Sequence, residues 1–284
     1  MRKFVFVLLA FMAAMTLVTT GCTDGRRPTS DTDSVVSVDS DSIAEDSAES
    51  LIASTPMPKA ADELFDDFIF NFAANRKLQY SRIVFPLQVY YGDKAAKQIG
   101  RGQWKMEHFF MRQDYYTLIF DNQRQMSLVK DTSVNSVAIE KIYLNRKSVK
   151  QYLFDRIDGQ WMMTGIKYIG LSQSQNASFL NFYNAFATDT AYQYSHISNP
   201  LKFSGPDPDD DFSTMQGDLL PEQWPAFASL AVLPTGMIYN IIYGQKYSNS
   251  KTKLFLIRGI ANGLEQEFTF RHVNGKWYLA KLNI

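Results

Sequence analysis

Two stretches of the chain carry phenylalanine at positions i, i+3 and i+7: Phe65, Phe68 and Phe72 in one, Phe179, Phe182 and Phe186 in the other. That spacing places the rings on one stripe of an α-helix and predicts two amphipathic helices with an aromatic face against a core. Asp62 and Ser178 stand where an N-cap would. After each stripe comes a Tyr-Ser turn, Tyr80-Ser81 or Tyr194-Ser195, and then Pro86 or Pro200, which cannot continue a helix. A second helical stretch is predicted around Gln103 to Arg112 and around Pro221 to Leu230. The rest has strand character: Tyr115 to Phe120, Val137 to Leu144, Gln151 to Ile157 and Trp161 to Lys167, then Met237 to Tyr243, Lys253 to Ile260, Glu265 to Val273 and Trp277 to Asn283. Asp158-Gly159 and Asn274-Gly275 predict tight hairpins, because a type I′ turn needs positive φ at both central residues.

The two sets of elements are copies of one another. Phe65 to Leu87 aligns without a gap with Phe179 to Leu201, and ten of 23 positions are identical, among them Gln79/Gln193, Tyr80/Tyr194, Ser81/Ser195 and Pro86/Pro200. The closing hairpins match with Phe154/Phe270, Gly159/Gly275 and Trp161/Trp277 in register. A repeat of this length is a structural unit used twice. Helices followed by a strand meander give an α+β class, with the copies at 61–170 and 176–284.

An N-terminal helix, about 110 residues per copy and a closing hairpin with a [Asp/Asn]-Gly-x-Trp turn resemble the nuclear-transport-factor-2-like, or cystatin-like, α+β cone, a superfamily in which a curved sheet wraps a helix. The resemblance covers roughly Ala60 to Ile284. It implies two tandem cones, each with N-terminal helices packed on a curved antiparallel sheet. That fold serves enzymes and plain binding modules alike and supplies no activity by itself.

Composition adds a cellular context. Met1-Arg2-Lys3 precedes an apolar run from Phe4 to Val18, about 22 Å if helical, which is shorter than the roughly 30 Å core of a bilayer. Residues 1–21 therefore read as an export signal rather than a spanning helix. Thr19 to Cys22 reads Thr-Thr-Gly-Cys and resembles a bacterial lipobox, although Thr19 stands where Leu is usual. The resemblance implies cleavage before Cys22 and lipid attached to it, hence a protein anchored to the membrane through its N-terminus. Thr23 rather than Asp after the cysteine favours, by analogy with enteric sorting, the outer membrane of the cell envelope. The tandem arrangement behind such a signal resembles a family of bacterial lipoproteins of unknown function. Cys22 is the single cysteine, so the body folds without disulfides.

Residues 22–60 are rich in Ser, Asp, Thr and Pro and almost free of aromatics, which predicts a disordered acidic tether. As a flexible coil of about 40 residues it would span roughly 35 Å. From Thr23 to Asp62 nine carboxylates face three cations, and the remainder of the chain beyond Asp62 is mildly and diffusely basic. Nothing in that balance points to nucleic acid.

Candidate chemistry is sparse. Tyr80, Ser81, Tyr194 and Ser195 offer hydroxyls to a ligand at the mouth of each copy, and the same residues suit bracing of helix on sheet. His196 aligns with Arg82 and His272 with Arg156, so neither site keeps a group of tunable pKa, and His108 lacks a partner at i+4 for zinc. The acidic Gly205 to Asp211 stretch lacks the Gly and distal Glu of a calcium loop. Asn176-Ala177-Ser178 matches a glycosylation sequon without meaning for an exported bacterial protein. No phosphate loop, nucleophile elbow or metal motif is present, and no catalytic residue, metal or cofactor is assigned. Glu140 and Asp155, aligned with Leu256 and Arg271, are the carboxylates that a hydratase, isomerase or hydrolase would need facing inward in one copy only. The preferred expectation is a non-catalytic envelope lipoprotein that binds a small molecule or an envelope protein.

Overall fold

The computed structural model describes residues 59–207 and 210–284. The expected export signal, Cys22 and the expected tether up to residue 58 lie outside the described residues. The first copy contains helices α1 (Phe65–Ala74) and α2 (Arg76–Ser81) and strands β1 (Ile83–Tyr91), β2 (Lys94–Ile99), β3 (Tyr115–Phe120), β4 (Ser136–Tyr143), β5 (Ser148–Ile157) and β6 (Gln160–Gly170). The second contains α3 (Ala177–Thr188), α4 (Thr190–Ser195), β7 (Ile197–Asp207), β8 (Asp210–Leu219), the short α5 (Trp224–Phe227), β9 (Met237–Ile242), β10 (Thr252–Gly259), β11 (Glu265–Val273) and β12 (Lys276–Asn283).

All twelve strands form one sheet in the order β2-β1-β6-β5-β4-β9-β3-β10-β11-β12-β7-β8. Matched by the sequence repeat, the order reads the same from either end. The middle is crossed over. Strand β4 pairs antiparallel with β9 of the other copy, Glu140 opposite Asn240, while β10 pairs antiparallel with β3, Leu256 opposite Leu118. The exchanged strands meet in parallel at Thr117 and Asn240. Each half of the sheet thus holds five strands of one copy and one of the other.

Alternation along the central strands shows how the sheet is covered. Leu118 and Phe120 belong to a core built on Phe65, Phe68 and Phe72, whereas Ile119 between them belongs to a core built on Phe179, Phe182 and Phe186. Val137 and Ile139 divide from Ile142 and Leu144 in the same way, as do Leu254 and Leu256 from Phe255 and Ile257. Successive side chains of a strand point to opposite faces. Helices α1 and α3 therefore cover opposite faces of one sheet, and β3, β4, β9 and β10 are buried on both sides.

The aromatic stripes pack as the sequence predicts, all six rings buried, and Phe65 lies edge-on to Trp161 as Phe179 does to Trp277, with centroids 5.1 and 5.6 Å apart. The hairpin turns adopt the expected conformation, with φ of 49° and 77° at Asp158-Gly159 and of 49° and 81° at Asn274-Gly275.

Several expectations are corrected. Asp62 and Ser178 do not cap their helices: Asp62 takes a two-point ion pair from Arg82 at 2.9 and 2.8 Å, and Ser178 accepts from Trp277 Nε1 at 3.2 Å. The Tyr-Ser turns are the ends of short helices, capped by Asn75 and Asp189. The stretch around Gln103 to Arg112 is not one continuous helix: short 3-10 turns at Arg101–Gln103 and Phe109–Gln113 flank an extended segment at 104–108. Gln79 donates to the Glu107 carbonyl at 2.7 Å and accepts from the Glu107 N–H at 3.2 Å, and this strand-like pairing holds the segment extended. The sheet is not purely antiparallel, because β1 joins β6 and β7 joins β12 in parallel. Pro86 and Pro200 sit within β1 and β7 where those ladders break, a position that tolerates a missing N–H.

Exchange of β3 and β9 makes each half depend on the other. Residues 59–175 expressed alone are expected to form dimers or aggregates in size-exclusion chromatography, because Leu118, Ile119 and Phe120 lose both neighbouring strands, β9 and β10, and one of the two cores that bury them. A monomeric fragment with a cooperative unfolding transition would contradict this.

Candidate functional site

Burial of both faces leaves little room for polar side chains in the centre, so those found there stand out. Glu140 is 2% exposed and Asn240, facing it across the β4–β9 pairing, is 0% exposed. Asn240 donates to Glu140 Oε2 at 3.0 Å, and Gln151 on β5 donates to Oε1 at 3.0 Å. Burial pushes the Glu140 carboxyl above its ordinary pKa, against the pull of the two amide donors. Asn240 Oδ1 is buried without a hydrogen-bond partner.

Glu140 opens onto a cavity of about 330 Å³ at the meeting of the two copies. Its wall takes Gln151 and Lys167 from the first copy, Gln173 to Asn176 from the connection between them, and Gln245 and Tyr247 from the loop after β9. Gln245 is buried, accepts from the Tyr243 N–H at 2.6 Å and donates to the Tyr247 hydroxyl at 3.1 Å, which in turn donates to the Ile119 carbonyl at 2.9 Å. At the rim Lys167 pairs with Asp93 at 2.7 Å. The lining is rich in side-chain amides, each carrying donors and an acceptor, and holds a single fully buried carboxyl.

The repeat provides an internal control. The positions equivalent to Glu140 and Asn240 in the second half are Leu256 and Leu118, which face each other in the same way and are fully buried. The scaffold therefore accepts an apolar pair at this place, and the first half carries the costlier polar one.

Two further polar clusters are closed upon themselves. Glu107 accepts from Tyr152, from Tyr239 at 3.3 Å, and lies 3.5 and 3.8 Å from Lys141 and Lys150. Burial raises its pKa, but Tyr152, the two lysines and Tyr239 outweigh it and hold the carboxyl below the usual range. Asp66 accepts from Tyr243, and there burial prevails and raises the Asp66 pKa.

The residues singled out in the sequence fall in different places. Tyr80 donates to the Trp104 carbonyl at 2.8 Å, and the half-exposed Tyr194 reaches Glu222 at 3.4 Å. Ser81 and Ser195 donate back to Leu78 and Tyr192 of their own helices, each at 2.9 Å. None of the four lines the Glu140 cavity. Asp155 is occupied by Thr164 at 2.7 Å, and His196 stacks on Tyr192 with ring centroids 3.8 Å apart. Of the two carboxylates singled out in the sequence, Glu140 is the one that faces inward. Its partners Asn240 and Gln151, and Gln245 in the same cavity wall, escape sequence reading because uncharged amides look the same on a solvated strand face. The one available signal was the mismatch of Glu140 and Asn240 with Leu256 and Leu118. No group of three or more metal-ligating side chains is present among the described residues.

A solved structure from Bacteroides fragilis, titled an NTF2-like protein, is similar to this chain, with 42% identity, 80% of this chain and 98% of that chain covered, and a TM-score of 0.72. The mixed α+β fold with its large curved sheet is accordingly NTF2-like. No curated protein matches the chain. Residues 44–284 match the family described as a domain of unknown function (DUF4348), and the chain belongs to that family.

Proposed function

We propose that this protein is an envelope lipoprotein, anchored through Cys22 and probed outward on its tether, whose two tandem cones at 61–170 and 176–284 act together as a non-catalytic binding module. The ligand is small, neutral at the point of contact and rich in hydroxyls, and it sits in the cavity at Glu140. One observation carries this reading: the Glu140–Asn240 pair occupies a place where the same scaffold elsewhere accepts Leu256 and Leu118. Burying a carboxyl and an amide costs free energy that two leucines would not. A polar pair kept in a cavity of this size is suited to recognition. Hydroxyls both donate and accept, and so match the amides of Gln151, Asn176 and Gln245.

A second reading, acid–base chemistry of hydratase, isomerase or hydrolase type, is favoured by the raised pKa of Glu140. No histidine lines the cavity, and both carboxyl oxygens are held by amide donors, which supports binding first. Turnover of a bound ligand, abolished by Glu140→Gln with binding retained, is the result that would favour catalysis.

The double variant Glu140→Leu/Asn240→Leu copies the other half of the sheet. It is expected to unfold at the same or a higher temperature than the parent; a loss of about 3 kcal/mol, typical of a disrupted core, would contradict the reading. Because the folded-state pKa of Glu140 is raised, ionising it costs stability, and that cost appears as pH rises above the unfolded carboxylate value near 4.5. The advantage of the double variant is therefore expected to grow as the pH rises above about 4.5, and a pH-independent difference would count against a strained carboxyl.

Binding is tested by thermal shift of the full chain against a panel of neutral hexoses and amino sugars. A ligand at 100 times its Kd stabilises by about 2.7 kcal/mol. The expected result is an upward shift in the parent that the double variant lacks; a panel without effect, or an equal shift in both proteins, would overturn the proposal.

A further inference from the structure

Beside the Glu140 cavity, with Gln175 and Asn176 in the wall of both, lies a second cavity of about 230 Å³. Its lining includes Lys251, Lys253 and His272 together with Ser178, Ser248 and Ser250, and it contains no carboxylate. Lys253 is committed, since its ammonium pairs with the buried Asp121 and donates to Asn176 Oδ1 at 2.7 Å. Lys251 and His272 are not. The His272 N–H donates to the Lys251 carbonyl at 2.7 Å, which sets the two residues side by side, and neither side chain has a hydrogen bond or an ion pair among the described residues.

The first copy shows what such a place looks like when the chain fills it. There the residues aligned with Lys251 and His272 are Asn135 and Arg156, held by the same backbone bond at 2.8 Å. Asp62, aligned with Asn176, brings its own carboxylate, which accepts from Arg82 at 2.9 and 2.8 Å and from the Trp161 N–H at 3.0 Å. Arg156 is covered by the Trp161 ring, 4.8 Å away, and donates to the Glu63 carbonyl at 2.8 Å. In the second copy an amide, Asn176, stands at the Asp62 position, the buried Asp121 carboxylate is taken up by Lys253 and Ser248, and Lys251 and His272 face a cavity instead.

We propose that this second cavity takes the anionic phosphate group of the ligand held at Glu140, with Lys251 and His272 as the binding residues, so that the ligand is a phosphorylated sugar. This rests on the reading of the Glu140 cavity as a hydroxyl-binding site. Phosphate oxygens accept from an ammonium, an imidazole N–H and hydroxyls alike, and charge-assisted bonds of that kind are stronger than neutral ones. Gln175 and Asn176, which line both cavities, mark where the two adjoin.

Isothermal titration of the full chain with inorganic phosphate, a panel of hexoses and the matching hexose 1- and 6-phosphates tests this. Inorganic phosphate is expected to bind the parent and the Glu140→Leu variant alike, and to bind at least tenfold more weakly to Lys251→Ala/His272→Ala, whose changes lie at exposed and half-exposed positions. At least one hexose phosphate is expected to bind the parent ten times more tightly than phosphate, with the gain lost in Glu140→Leu. Hexose binding with no phosphate binding, or phosphate binding unchanged by Lys251→Ala/His272→Ala, would overturn this inference and leave the hydroxyl site standing. A phosphate site without any gain from a sugar would break the link between the cavities, and absence of all binding would remove both.

Discussion

The structure depends on the reciprocal exchange of β3 and β9. Each of these strands leaves its own copy and completes the half-sheet of the other, so that β4, β9, β3 and β10 run side by side with a helix-bearing layer on either face. Strands covered on both faces bury twice the apolar surface of a half-exposed strand, at about 25 cal/mol per Å². They also leave no solvated side on which a polar residue rests cheaply. This constraint couples the two copies into one body and makes any charge in the middle of the sheet conspicuous.

Repetition then allows a comparison within a single chain. Both copies keep the aromatic stripe, the Gly-x-Trp hairpin and a buried glutamine that accepts from a tryptophan indole, Gln79 from Trp104 and Gln193 from Trp224, each at 3.1 Å. These shared features hold the scaffold. The differences lie at the junction: Glu140 and Asn240 against Leu256 and Leu118, and Asn176 with Lys251 and His272 against Asp62 with Asn135 and Arg156. The first half carries Glu140 and Asn240 where the second carries two leucines, and the second copy turns Lys251 and His272 to a cavity where the first closes Asp62 on Arg82; the two cavities adjoin at Gln175 and Asn176. Divergence of equivalent positions, rather than the fold, carries the functional argument.

Much of the architecture was legible in the sequence where local chemistry decides it. Phe65, Phe68 and Phe72 lie on one face at helical spacing whatever the tertiary context, and Asp158-Gly159 and Asn274-Gly275 have few alternatives to a type I′ turn. Strands β1, β2, β7 and β8 were not legible. β1 and β7 carry a proline, and β2, Lys-Ala-Ala-Lys-Gln-Ile, lies almost wholly exposed at the edge without an apolar alternation. Residues 103–112 have helical composition, but Gln79 holds 104–108 extended through a contact remote in sequence, and only short 3-10 turns form on either side. The strand exchange was illegible for a different reason. The two copies are similar enough that β4 can pair with either β3 or β9, and local pattern does not choose between them. Glu140 was legible as a carboxylate without a counterpart, whereas its amide partners and the second cavity required the three-dimensional arrangement.

The central claim is that the polar residues at the junction exist to hold a ligand rather than to hold the fold. A crystallographic difference map from the full chain soaked in hexose phosphates tests it most directly. The account predicts density that spans both cavities, with sugar hydroxyls within hydrogen-bonding distance of Glu140 and Gln151 and the phosphate between Lys251 and His272. Saturating ligand with both cavities still filled by solvent alone, or density confined to another surface, would contradict it.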